Sequence, residues 1–228
     1  MPRYAVYYVP EKDSPLWKFG SSAVGYDAYT GREVAFPDHS VYRNPDARTW
    51  TEDPRKYGFH GTLKAPFELR DGADETALIV LARDFAARRK SVTLPKLEVG
   101  ALGRFVALLP GASSPVLGDL AADCVRDFDP FRAPLSAEDR ARRLKSPLSE
   151  RQVAYLDQWG YPYVMEEFRF HMTLSGALDE RPRLELLRAL RELYEPFAAP
   201  FVLDGIGIFK QDGRDAPFMV LERFPFRS

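Results

Sequence analysis

The pattern Phe-His-x-Thr-Leu occurs twice in this chain, as Phe59-His60-Gly61-Thr62-Leu63 and as Phe170-His171-Met172-Thr173-Leu174. There are only three histidines in 228 residues, and two of them lie in these copies, at an offset of 111 positions. With average residue usage, two of three histidines falling by chance into one His-x-Thr-Leu pattern is an event on the order of one in ten thousand. An offset close to half the chain points to an internal duplication. Two copies are too few for a solenoid, so the expected product is a pair of lobes facing each other about a pseudo-twofold axis.

The text around the motifs supports that reading. Residues 4–9 are aromatic and β-branched and end at Pro10, which predicts a strand rather than a signal peptide. Residues 57–65 read as a strand closed by Pro66. From 74 to 90 the period becomes helical, with Asp74 as N-cap and Leu78, Leu81, Ala82 and Phe85 on one face. Residues 92–99 and 104–109 read as two strands meeting across Gly100 and Gly103. The second half opens with a helix at Ser114-Pro115, whose apolar face takes in Val116, Leu117, Leu120, Ala121, Cys124 and Val125. A helix through Gln152, Tyr155, Leu156 and Trp159 is stopped by Gly160 and Pro162. A strand at 168–175, a helix carrying Leu186, Leu190 and Tyr194, and strands at 201–209 and 218–223 complete the chain. Residues 11–50 and 126–151 show no sustained period and read as irregular, with short elements. Each half therefore runs in one order: a histidine strand, a helix, then two strands. The expected fold is α+β: a single two-lobed domain over 1–228, with lobes near 1–113 and 114–228 and room for strands to exchange between them. Antiparallel sheets would line a central cleft, with helices outside.

Side chains alternate faces along a strand. His60 and Thr62 therefore point one way and Phe59, Gly61 and Leu63 the other. His171 and Thr173 share a face opposite Phe168, Phe170, Met172 and Leu174. The apolar sets anchor each strand, and the His/Thr pairs are left on rigid β-structure facing the cleft. Two imidazoles flanking a substrate suit a reaction that removes one proton and delivers another, because an unperturbed pKa near ~6.5 allows one ring to be neutral and the other cationic. Hydrolysis or transesterification of a phosphodiester needs such a pair. Threonine hydroxyls can hold the non-bridging oxygens. By the same alternation Lys64 falls on the His60 side and Arg169 on the His171 side, where either could supply positive charge to a phosphate. His39, in a loop-like stretch, reads as incidental, and Tyr4, Tyr7, Tyr8 and Tyr57 read as packing. The basic run at 140–145 reads as a solvated helix face, with a lid over the substrate as its other reading.

Composition excludes several classes. Lys plus Arg is 32 and Asp plus Glu is 33, a formal charge of −1, which argues against long nucleic acid or an anionic membrane as partner. The single cysteine, Cys124, allows no intramolecular disulfide and fits a reducing compartment, so a cytoplasmic location is expected. Three scattered histidines with no His-x-x-x-His or clustered carboxylates offer no zinc site, and Gly20, Gly25 and Gly31 form no phosphate loop. No metal or cofactor is expected.

With these motifs the chain resembles the 2H phosphoesterase superfamily, which is named for two His-x-Thr/Ser-x motifs and includes 2′-5′ RNA ligases and cyclic nucleotide phosphodiesterases. The flanking text, Lys56-Tyr-Gly-Phe-His60-Gly-Thr-Leu-Lys-Ala-Pro-Phe67 and Phe168-Arg-Phe-His171-Met-Thr-Leu-Ser-Gly176, looks more specifically like a branch often encoded beside phosphonate-utilisation genes. The resemblance implies a bilobal α+β fold and metal-independent action on a small cyclic phosphate or phosphodiester. It implies His60 and His171 as acid and base, and Thr62 and Thr173 as phosphate ligands. Two other readings stand beside it: RNA end processing at 2′,3′-cyclic phosphates or 2′-5′ linkages, and a non-catalytic module that binds a phosphorylated ligand.

Overall fold

The aromatic run near the N-terminus forms β1 (Arg3–Tyr8) in a computed structural model that describes residues 1–112 and 114–227. The chain continues through α1 (Pro15–Val24), the small hairpin β2 (Tyr26–Asp27) and β3 (Arg32–Glu33), and two short helices, α2 (Ala47–Trp50) and α3 (Glu52–Tyr57). Then come β4 (Gly61–Glu68), α4 (Glu75–Ala87), β5 (Val92–Leu94), β6 (Leu97–Leu102) and β7 (Phe105–Pro110). The second half holds α5 (Pro115–Phe128), α6 (Ala137–Arg143), α7 (Glu150–Trp159), β8 (Met172–Thr173), α8 (Glu180–Tyr194), β9 (Phe201–Leu203), β10 (Gly205–Gln211) and β11 (Met219–Pro225).

Capping chemistry sets most helix ends as the sequence implies. Asp74 and Ser114 accept from Ala77 and Leu117 main-chain N–H groups, and Gly160 closes α7 in the left-handed region. Cys124 is fully buried on α5, and burial pushes its thiol pKa up. Val116, placed on that helix's apolar face by its spacing, is instead 60% exposed. It falls at the edge of the buried stripe formed by Leu117, Leu120, Ala121, Cys124 and Phe128. The segment 11–50, read as irregular, contains α1. This helix carries the same signals used to find α5: Ser14 as N-cap, Pro15 at the first turn and Gly25 as a left-handed C-cap.

Seven strands form one antiparallel sheet in the order β11-β10-β1-β4-β8-β7-β6. The two histidine strands are neighbours at its middle, joined only where Gly61 pairs with Met172. Read outward from that seam, the order is β1 then β10 on one side and β7 then β6 on the other. β1 and β7 each precede a histidine strand, and β6 and β10 each follow the helix after one. Each side of the sheet thus takes a strand from the other half of the chain. The helices interleave in the same way. α4 packs on β10 and β11, α5 packs on β4, and Phe85 and Phe128 join the two helices with ring centroids 5.3 Å apart. α8 covers β6 and β7, and Phe19 of α1 meets Tyr194 of α8 at 5.1 Å. β5 and β9, also corresponding elements, pair with each other in a separate two-stranded ladder.

Two departures from the expected strands bear on the site. β4 does not stop at Pro66 but runs to Glu68. Proline lacks an N–H for the ladder, and Pro66 falls within one of two register shifts against β1, where a bulge spares the bond. The second histidine strand is shorter than 168–175. Only Met172 and Thr173 are in the ladder, while Leu174 and Ser175 both donate to the Val106 carbonyl.

Candidate active site

The antiparallel register at the seam has a direct geometric result. Pairing Gly61 with Met172 sets His60 opposite Thr173 and Thr62 opposite His171, since partners in an antiparallel ladder run in opposite order. Directly opposed side chains lie roughly 5 Å apart at Cβ. The two motifs therefore form one alternating quartet across the seam. Close approach depends on Gly61, where an added Cβ would lie 2.6 Å from the Phe170 ring.

Each imidazole is held by a backbone carbonyl two residues upstream. His60 Nδ1 is 2.9 Å from the Gly58 oxygen, and His171 Nδ1 is 2.8 Å from the Arg169 oxygen. A carbonyl only accepts, so Nδ1 carries the hydrogen on both rings and Nε2 carries the lone pair. His60 Nε2 sits 3.2 Å from Thr62 Oγ1, where the hydroxyl donates to it. Gly58 can offer its carbonyl because it adopts φ +73° at the end of α3, against Ala28, where a side chain would not fit.

Packing fixes His60 further. Tyr7, its neighbour on β1, stacks on the ring at 3.8 Å with an interplanar angle of 21°, and Phe59 is wedged beneath Gly20 of α1. Burial lowers the His60 pKa to about 4, and the nearby His171 adds to this. Burial also lowers the His171 pKa, against the opposing effect of the Arg169 carbonyl. Both rings are thus neutral near neutral pH in the ligand-free protein. His171, Thr62, Phe105, Tyr161 and Phe168 border a cavity of about 430 Å³. Its walls are mainly aromatic and aliphatic, a surface suited to the organic part of an ester.

The remaining expected phosphate ligands separate. Arg169 is exposed and borders the same cavity as His171. Lys64 does not reach the cleft. Tyr7 pairs with Thr62 but Val6 pairs with Lys64, so Leu63 is an extra residue, and the bulge reverses the alternation after Thr62. Lys64 instead turns beneath α5, only 3% exposed, and donates to the Val125 carbonyl and to Asp129 Oδ1, each at 3.0 Å. His39 caps a short 3₁₀ turn by accepting from the Val41 N–H at 3.2 Å.

Several cleft residues were not expected there. Tyr57 ends α3 and stacks on Phe218 at 5.3 Å, with its ring centre 6.3 Å from that of His60. Tyr161 borders the cavity beneath Arg143. The basic run at 140–145 divides. Arg140 and Arg142 pair with Asp157 and Asp139, as a solvated face would, whereas Arg143 lies over the Tyr161 ring at 4.9 Å. Among the described residues, no three His, Cys, Asp or Glu side chains converge to hold a metal ion, and no helix is long and apolar enough to cross a membrane.

Residues 62–219 match the family DUF1045, described as "Protein of unknown function". The chain belongs to the DUF1045 family. The matched span includes Thr62, His171 and Thr173, with His60 two residues before it. The sequence is also similar to two proteins named ribose 1,5-bisphosphate phosphokinase PhnN. The one from Janthinobacterium sp. (strain Marseille) is 38% identical over 237 residues, covering 99% of this chain and 51% of that protein. The one from Laribacter hongkongensis (strain HLHK9) is 38% identical over 178 residues, covering 78% and 41%. This DUF1045 chain thus spans about half the length, or less, of the curated relatives it matches. Among solved structures it is similar to E. coli LigT complexed with 3′-AMP, with a TM-score of 0.46, 17% identity and full coverage of both chains. It is also similar to TT0787 of Thermus thermophilus, with a TM-score of 0.45, 14% identity, and coverage of 100% and 99%.

Proposed function

We propose that this chain hydrolyses a small cyclic phosphate or phosphodiester, with His60 and His171 as general base and general acid. One observation carries the reading. Two imidazoles at the starts of adjacent strands are both locked by Nδ1–H to a backbone carbonyl, and Thr62, which hydrogen-bonds His60, borders one cavity with His171.

The chemistry closes on these groups. A neutral ring takes a proton from water through Nε2 while the water oxygen bonds to phosphorus. The bond from phosphorus to the departing oxygen breaks, and the cationic ring gives that oxygen its proton. Net, water adds across one P–O bond and the two rings exchange protonation states. Thr62 and Thr173 hydroxyls bind the non-bridging oxygens, and Arg169 supplies charge at the cavity mouth. Burial pushes the His60 pKa down to about 4 and lowers that of His171. His60, stacked under Tyr7 and accepting from Thr62 at Nε2, is assigned the base role, and His171, which borders the open cavity, the acid role. An anionic phosphodiester between the rings favours the cation that the acid role requires.

The relatives' name suggests which cyclic phosphates to try first. Opening a phosphate that bridges the 1- and 2-oxygens of ribose, with cleavage at the 2-oxygen, leaves a ribose 1-phosphate. That group is part of the ribose 1,5-bisphosphate in the relatives' name.

The test is a screen of ribosyl and nucleoside cyclic phosphates followed by phosphorus NMR. On the substrate found, His60→Ala and His171→Ala should each lose roughly 10² or more in turnover while retaining a native circular dichroism spectrum. Turnover should persist in excess EDTA. Near-normal turnover in both variants would falsify the assignment.

A further inference from the structure

Beyond the histidine pair, the cleft holds a second cluster of polar groups that nothing in the proposed chemistry uses. The hydroxyls of Tyr7, Tyr57 and Tyr161, like those of Tyr8, Tyr163 and Tyr194, find no hydrogen-bond partner among the described residues, whereas those of Tyr4, Tyr29 and Tyr42 each donate to an acceptor. The first three phenols lie together. Tyr7 stacks on His60, Tyr57 flanks His60, and Tyr161 borders the cavity lined by His171 and Thr62. Burial holds the Tyr7 phenol protonated, which leaves it a donor.

Two guanidiniums close on the same place. Arg143 lies over Tyr161 at 4.9 Å, and Arg3 lies over Phe218 at 5.5 Å, the ring on which Tyr57 stacks. Arg3 and Arg143 border one small cavity, and the Tyr7 and Phe218 ring centres are 6.3 Å apart. Neither guanidinium has a carboxylate partner among the described residues. Arg3 donates to the neutral amide oxygen of Gln211 from Nε, at 2.8 Å, and from Nη2, while the carboxylates bordering this region, Glu68 and Asp139, are already paired with Arg214. Two cations and three hydroxyl donors without acceptors form a receptor for an anion. A carboxylate deficit beside a proposed phosphate site is otherwise unfavourable, since like charges repel until a ligand neutralises them.

We propose that Arg3, Arg143, Tyr7, Tyr57 and Tyr161 form a second anion subsite, so that the substrate is a cyclic phosphate or phosphodiester bearing a further phosphate group. Arg3 and Tyr7 share a face of β1 four residues apart, about 14 Å between Cα atoms at the usual rise. Tyr7 stacks on His60 and Arg3 lies beyond it on the same face, so the second anion sits further along β1 than the phosphate held by the histidines. The inference rests on the phosphoesterase reading for its first site and on separate residues for its second.

The experiment compares a ribosyl cyclic phosphate with its 5-phosphorylated counterpart. In the wild-type protein the added phosphate should raise kcat/KM by about 10²-fold. In Arg143→Gln and in Arg3→Gln that ratio should fall at least tenfold, while in Arg83→Gln, a surface control far from the cleft, it should hold. A wild-type ratio near one, or a ratio that survives both cleft substitutions, overturns the subsite. If neither compound is turned over, the phosphoesterase reading fails and calorimetry decides the subsite separately. Ribose 5-phosphate should bind more tightly than ribose, and Arg143→Gln should abolish the difference. Equal affinities for the two sugars, or a difference unchanged in Arg143→Gln, overturn it.

Discussion

At the residue scale, the two histidines share chemistry but differ in surroundings. Both donate from Nδ1 to a carbonyl, yet only His60 is sandwiched under a tyrosine ring. A base that must be neutral and an acid that must be charged coexist most often between their pKa values. In the free protein these are about 4 for His60 and a value held below 6.5 for His171. The profile of kcat/KM against pH reports the free protein, so it should be a bell with its maximum on the acid side of 6.5. The kcat profile should sit at higher pH, because a bound phosphate anion raises both values. A kcat/KM optimum at about pH 8 would contradict this account of the two rings. Lys64 gives the opposite kind of prediction. It is a buried cation with an ion pair and a carbonyl acceptor, far from the quartet's face. Lys64→Met leaves Asp129 paired with Arg132 but removes the side-chain donor to the Val125 carbonyl. We expect a loss of about 1–3 kcal/mol in urea unfolding and little change in kcat/KM per folded molecule.

At the element scale, α1 is the support of the first histidine. Its Gly20 lies so close to Phe59 that an added Cβ would stand 2.0 Å from that ring. Gly20→Ala must therefore move Phe59, the residue joined to His60. Overpacking of this sort costs about 1–3 kcal/mol, and a small displacement of a catalytic ring costs tenfold or more in rate. Urea unfolding and kcat should both register it; a stable variant with full kcat would show that α1 does not position the ring. α1 also illustrates what was legible in the sequence. Its cap residues were as clear as those of α5, but glycine and two serines in its interior diluted the apolar period. Strand alternation located the two His/Thr pairs because their strands keep it as far as Thr62 and Thr173. It failed at Lys64 because a bulge depends on how β1 and β4 register, which neither strand encodes alone. Tyr57 does pack, against Phe218, but from the last turn of α3, where the period-two alternation used to place it does not apply. Tyr7 and Arg143 were visible as residue types but not as neighbours, since they lie far apart in the chain.

At the scale of the whole molecule, the duplicated order of elements does not produce two separable pieces. β6 and β7 lie beside β8, and β10 lies beside β1, so residues 1–113 and 114–228 each leave strands without partners. Expressed alone, each half should give the narrow amide dispersion of an unfolded chain by NMR. Co-expressed, they should recover the dispersed spectrum. A folded isolated half would mean that the exchange of strands is not needed for stability. The exchange also explains why the His/Thr quartet sits at the centre of the molecule, where both duplicated strands are flanked by partners.

The seam between β4 and β8 has a mechanical consequence. Only Gly61 and Met172 bridge it, whereas β1–β4 and β6–β7 are joined along most of their lengths. It is therefore the line of least stiffness in the sheet. A small rotation about it would alter the gap between the two imidazoles and leave each ring's grip on its own carbonyl intact. On the proposed reading hinge and reaction centre coincide, so the gap between the rings could change with either ring's tautomer undisturbed.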